Sequence, residues 1–125
     1  MLKVIWLLKR LHGITPEQFH YRYERHARLA QQHIGHLMRH YKRNYVTETR
    51  TNGNARGVGS AYDCIAEWGL PDAAALTEIN RILAEPAVSK LFAEDMADFL
   101  DRRAAVRFLC HEVDTGTDYK RQPSV

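Results

Sequence analysis

The chain has 125 residues, 45% apolar and 26% charged, the size and balance of one soluble globular domain. No apolar run approaches the roughly 18 residues needed to span a bilayer, and no small-residue cleavage site follows the short run from Val4 to Leu8, so neither a membrane span nor a secretory leader is expected. The formal charge of +3 hides an asymmetry: residues 1–50 hold ten Lys/Arg against three acids, and residues 51–125 hold eight against twelve. In a single domain this favours two parts of the chain attracting each other over a nucleic-acid face.

Residues 2–9 form a short, β-branched and aromatic run flanked by lysines, the pattern of a strand. Both of its period-2 faces, Leu2/Val4/Trp6/Leu8 and Lys3/Ile5/Leu7/Lys9, are apolar in the middle, which predicts a central strand. Thr15-Pro16-Glu17-Gln18 is a helix start with a threonine cap, a proline in the first turn and a glutamine completing a capping box. The helix is expected to run to about Ile34 and to end at Gly35. At about 100° per residue, Phe19, Tyr23, Ala27, Ala30 and Ile34 form its apolar stripe. His26 falls inside that stripe and is the one ionisable group aimed at the core from mid-helix.

A polar second strand is expected over 37–49, with Arg39/Tyr41/Arg43/Tyr45 opposite His40/Lys42/Asn44/Val46. So polar a strand belongs at a sheet edge or beside a polar cavity. Gly53, Gly57 and Gly59 mark residues 50–60 as a loop. A third strand follows over 61–69, with Tyr62/Cys64/Ala66/Trp68 opposite Asp63/Ile65/Glu67. Asp63 and Glu67, at period 2 within an apolar strand, have the position of acid–base groups, or of structural acids paired with Arg107 or Lys9 on neighbouring strands. Pro71-Asp72 opens a helix with Leu76, Ile79 and Leu83 on one face, and Pro86 starts another in which Val88, Phe92, Met96 and Phe99 recur. The last strand is expected over 104–113, and residues 114–125 form a polar tail.

The resulting order is that of an α+β, ferredoxin-like βαββαβ fold with an extra helix before the last strand. That topology sets Cys64 and Cys110 about 9–10 Å apart if level, so both are expected as free thiols. Their sparse usage fits a reducing compartment and a cytoplasmic location. The face away from the helices is expected to carry Ile5, Leu7, Ile65 and Leu109, and its apolar surface calls for a second copy of the chain.

Nucleotide-binding glycine motifs and hydrolase elbows are missing. His33, His36 and His40 have ligand-like spacing, but the break at Gly35 turns them apart, so no metal site is expected. Neither a nucleic-acid nor a membrane partner is expected, since the tyrosines of the basic half fall partly in the core stripe and no recognition motif accompanies the charge. His26 has the position of a general acid or base, or of a core histidine satisfied by one hydrogen bond.

These residues resemble the EthD-like family. The resemblance is carried by Leu7-Leu8-Lys9-Arg10, by Thr15-Pro16-Glu17-Gln18-Phe19 with His26 eleven residues beyond Thr15, by Tyr62-Asp63-Cys64-Ile65-Ala66-Glu67-Trp68, and by Phe99-Leu100-Asp101 ahead of a strand ending in Glu112. It spans residues 2–113, so that residues 1–113 read as a single EthD-like domain. The resemblance implies a dimeric α/β barrel with an apolar ligand cavity between sheet and helices, and a role in small-molecule catabolism. His26 is similar to the family's helix-1 histidine and Tyr41 to the strand-2 tyrosine of its isomerase-like members. A strand-3 cysteine of the methylmuconolactone isomerases is matched by Trp68, a departure from that set, and the 50–60 loop lacks a histidine.

The expected function is therefore a cofactor-independent, proton-shuttling isomerase, dehydratase or cyclase acting on an aromatic, lactone or polyketide-like molecule. His26 and Tyr41 would be catalytic, with Tyr23, Asp63, Trp68 and Phe99 binding the substrate. No cofactor or metal enters this scheme. The alternatives are an EthD-type oxidoreductase or monooxygenase and a non-catalytic, ligand-binding homodimer.

Overall fold

The computed structural model describes residues 1–50 and 62–116. The glycine-rich part of the 50–60 loop and the tail beyond residue 116 lie outside the described residues. The elements are β1 (Leu2–Leu8), α1 (Pro16–Ile34), β2 (His40–Tyr45), β3 (Cys64–Leu70), α2 (Ala73–Ala84), α3 (Pro86–Met96) and β4 (Val106–His111). Short 3-10 turns at Gly35–Leu37 and Arg102–Ala104 lead into β2 and β4. These turns shorten both strands relative to the spans expected from sequence.

The four strands form one antiparallel sheet in the order β2-β3-β1-β4, the ferredoxin-like arrangement. β1 is central, as its two apolar faces required, and the polar β2 is an edge strand. α1 opens as its sequence predicts. The Thr15 hydroxyl accepts from the Gln18 backbone N–H at 3.1 Å, and the Gln18 side chain accepts from the Thr15 N–H at 2.9 Å. The reciprocal pair satisfies two donors that a bare helix end would leave exposed. Asp72 caps α2 through the Ala75 N–H.

Period 2 and the register assign every strand residue to a face. Val4, Trp6 and Leu8 of β1 lie opposite Trp68, Ala66 and Cys64 of β3, and Tyr41 and Tyr45 of β2 share that side. The three helices cover it. One buried cluster joins Val4, Trp68 and Leu70 to Ala30, Ile34, Ala75, Ile79 and Phe92. The other joins Leu8, Cys64 and Ala66 to Phe19, Tyr23, Phe99 and Leu100. At about 1.5–3 kcal/mol for each large apolar side chain removed from water, these clusters dominate the stabilisation of the fold.

The opposite face carries Ile5, Leu7, Ile65, Val106 and Phe108. Leu109, which the sequence placed there, instead stands opposite Val4 on the helix side. It is nevertheless 55% exposed, because β4 is an edge strand and neither buried cluster includes one of its residues. Phe108 takes its place on the open face and is 48% exposed.

Charges from the two halves of the chain do meet across the fold. Lys3 pairs with Glu67 at 3.0 Å and with Glu112, Arg10 with Asp63 at 3.5 Å, and Arg25 with Asp95 and Asp98 at 3.6 Å each. The partners expected for the two strand-3 acids are thus replaced: Glu67 bonds Lys3 and His40, and Asp63 bonds Arg10. Gly69 has a steric role here, since a Cβ at that position would come within 2.2 Å of the His40 ring. Cys64 and Cys110 are both free thiols. They lie beside Leu8 and Lys3 respectively, at opposite ends of β1 and on opposite faces of the sheet.

Candidate active site

A cavity of about 350 Å³ lies between the sheet and the helices. Its wall is mostly apolar, formed by Trp6 and Leu8 of β1, Trp68 of β3, Ala30 and Ile34 of α1, and Phe92 and Met96 of α3. Of the six sequence-predicted site residues, His26, Tyr41, Tyr23, Trp68 and Phe99 all border it. Asp63 does not. It precedes β3, accepts from the Arg10 backbone N–H at 2.8 Å, and borders two neighbouring surface grooves instead.

His26 is brought to the cavity by helical phase, one turn beyond Tyr23 on the buried stripe. It is 7% exposed. Its Nδ1 lies 2.7 Å from Oδ2 of Asp95 on α3, and its ring meets Phe92 and Phe99 at 5.3 Å between centroids. Burial lowers the imidazole below its ordinary value of 6.5, and the Asp95 carboxylate opposes that fall. With Asp95 accepting from Nδ1–H, the neutral ring keeps its lone pair on Nε2. Nε2 has no protein partner among the described residues.

Asp95 was missed from sequence. Its signal was nonetheless present: within the stripe Phe92, Met96 and Phe99 it sits three residues after Phe92, where an acid on an apolar face needs a partner. The carboxylate is also 3.6 Å from the Arg25 guanidinium, so the imidazole and an arginine hold its two oxygens.

On the sheet side, the hydroxyls of Tyr23 and Tyr41 are 2.9 Å apart. Burial raises both phenols above their ordinary value of 10, so both remain protonated donors at neutral pH. The Trp68 ring meets Tyr41 edge-on at 6.3 Å and Trp6 at 5.5 Å. Its indole N–H lies close enough to the Tyr41 phenol to oppose the rise, without reaching hydrogen-bond geometry. The Nε1 atoms of Trp6 and Trp68 are both buried without a partner among the described residues. Trp6 was read from sequence only as a strand residue, although its period-2 face is that of Val4 and Leu8.

No group of three or more His, Cys, Asp or Glu is placed to hold a metal ion among the described residues. There, too, no helix is long and apolar enough to cross a membrane.

The site therefore combines a neutral imidazole backed by a carboxylate, a pair of protonated phenols, and an apolar enclosure. No curated protein matches the chain significantly. Among solved structures, the fold is similar to that of an EthD-like protein from Ralstonia eutropha JMP134, at 18% identity over 94% of this chain and 96% of that one, with a TM-score of 0.65. A protein from Arabidopsis thaliana gives a TM-score of 0.62 at 18% identity, over 93% of this chain and 99% of that one. A protein from Thermobifida fusca, described as dimeric and ferredoxin-like, gives 0.56 at 15% identity, over 87% and 88%. Residues 11–103 match the EthD domain, which covers most of the chain and both elements that supply the His26–Asp95 pair, and on that match the chain belongs to the EthD family.

Proposed function

We propose that the chain is a cofactor-independent enzyme that moves a proton on a small, largely apolar molecule carrying an enolisable carbonyl. The observation that carries this reading is the His26–Asp95 pair at the wall of an apolar cavity that a phenol pair also borders. His26 Nε2 takes a proton from the carbon beside the carbonyl, and the C–H electron pair moves onto the carbonyl oxygen. The enolate oxygen is met by a hydroxyl of the tyrosine pair. Asp95 stabilises the imidazolium so formed. Return of the proton to another carbon completes an isomerisation, and its delivery to a leaving hydroxyl completes a dehydration.

The test needs no knowledge of the natural substrate. Incubation with 2-methylcyclohexanone in D2O, followed by NMR, reads deuteration of the carbons beside the carbonyl. Wild type is expected to accelerate exchange roughly 10²-fold or more over H26N, the usual contribution of a positioned base. Equal exchange with both proteins would remove His26 as the base and leave the cavity as a binding site only.

We further infer that two chains pair through the open sheet face. Ile5, Leu7, Ile65 and Phe108 leave an apolar patch there, larger in character than the scattered apolar residues of a monomer's surface. A two-fold axis would bury it once for each copy. The dimeric description of the Thermobifida fusca protein supports this arrangement.

A further inference from the structure

The cavity's polar groups are unequal in kind. Trp6 and Trp68 border the cavity with their rings, while their indole N–H groups are packed away from open space. In the Tyr23–Tyr41 pair only one hydroxyl donates to the other, so the accepting hydroxyl keeps its own proton for a third group. Arg102, from the turn before β4, also borders the cavity. It makes no ion pair or side-chain hydrogen bond among the described residues. Its guanidinium adds five more N–H groups and a permanent positive charge. Among the described residues, the side-chain nitrogen and oxygen acceptors on the wall are the phenol oxygens and His26 Nε2, and no carboxylate lines the cavity.

A spare phenol proton and an arginine with no ion-pair partner among the described residues, gathered on one apolar space, are complementary to a guest that brings oxygen acceptors and negative charge. We propose that the substrate is an organic carboxylate with a compact apolar body. Its carboxylate sits on Arg102 and its apolar body against Phe92 and Phe99. Its second oxygen, the carbonyl that becomes the enolate, faces the free hydroxyl proton of the Tyr23–Tyr41 pair. This inference rests on the proton-shuttling reading of the same cavity and adds the charge of the molecule it acts on.

Trp6 and Trp68 are the chain's two tryptophans, so indole fluorescence reports occupancy of this cavity. Titration at pH 7.5 compares cyclohexanecarboxylate with cyclohexanecarboxamide, probes of equal shape that do not absorb at the excitation wavelength. The carboxylate is expected to bind at least about tenfold tighter in wild type, as a charge-assisted guanidinium contact gives over a neutral one. In R102Q the ratio is expected to fall to about one. Arg102 is exposed, so the substitution leaves the core intact. Equal binding of the two probes to wild type, or a ratio that survives in R102Q, overturns the carboxylate assignment while leaving the cavity as a small-molecule site. Binding of neither probe overturns the assignment as well. The deuterium-exchange experiment with a neutral ketone judges His26 independently, so failure of one reading is distinguishable from failure of the other.

Discussion

The Nδ1 atom of His26 and the Oδ2 atom of Asp95 are 2.7 Å apart, although 69 residues separate them in the chain. α1 supplies the imidazole and α3 the carboxylate. The pair holds one ring nitrogen as a donor and leaves the other to the cavity. Its consequence is directly measurable. Burial lowers the His26 imidazole and Asp95 raises it, so an NMR titration of wild type is expected to place His26 below 6.5, and D95N to place it lower still. A D95N titration at or above the wild-type value would show that Asp95 does not stabilise the imidazolium.

The same depression links His26 to stability. The unfolded chain takes up the proton first as pH falls below about 6.5, so stability contributed by the neutral ring is present above that pH and lost as pH falls toward the lower folded value. Thermal melts of wild type from pH 8 to 5 are expected to show a declining Tm. In H26Q that slope should flatten. Glu24 acts in a separate window, since hydrogen bonds from Arg43 hold its carboxyl below 4.5. Its contribution is lost only in stronger acid, and R43Q is expected to move that lower transition without touching the upper one.

Leu109 and Phe108 are adjacent, both about half exposed, and point to opposite faces of β4. Pairing through the open face makes a sharp distinction between them. F108D is expected to convert a species of twice 14.5 kDa to monomer in native mass spectrometry, and L109D is expected to leave it intact. A dimer that survives F108D, or that L109D dissolves, would assign the contact to another surface.

Cys64 is fully buried, and burial pushes its thiol up to about 12. The nucleophile in alkylation is the thiolate. With iodoacetamide at pH 8, Cys64 is expected to remain unmodified in the native protein and to react fully once denatured, as read by peptide mass spectrometry. Modification of the native protein at Cys64 would mean that the β1–β3 core opens readily.

A core substitution gives the stability scale. Phe19 is 1% exposed and meets Tyr23, Tyr45 and Phe99 at about 6 Å between centroids. F19A is expected to cost about 3–5 kcal/mol in denaturant unfolding, and a loss below about 1 kcal/mol would show that the second cluster is not a packed core.

Much of this molecule was legible in the residues alone, because the relevant forces are local or periodic. Thr15 to Gln18 carry their own capping chemistry, and the spacing of Phe19, Tyr23, His26 and Ile34 repeats the helical turn. The two apolar faces of Leu2–Leu8 demand a central strand. These features place five of the six expected site residues around one cavity, since a residue's face is set by its phase within its own element. What the chain could not reveal were relations between elements. The register of β4 against β1 is a matter of long-range pairing, and it turned Leu109 to the helix side and Phe108 to the open face. The partner of His26 lies on α3, and its choice depends on how two helices pack across the sheet. Arg102 and the Tyr23–Tyr41 pair acquire a joint meaning only when one cavity gathers them. Phase along an element is written in the sequence; register and packing between elements arise from the balance of contacts across the whole fold, and the chemistry of the cavity depends on them.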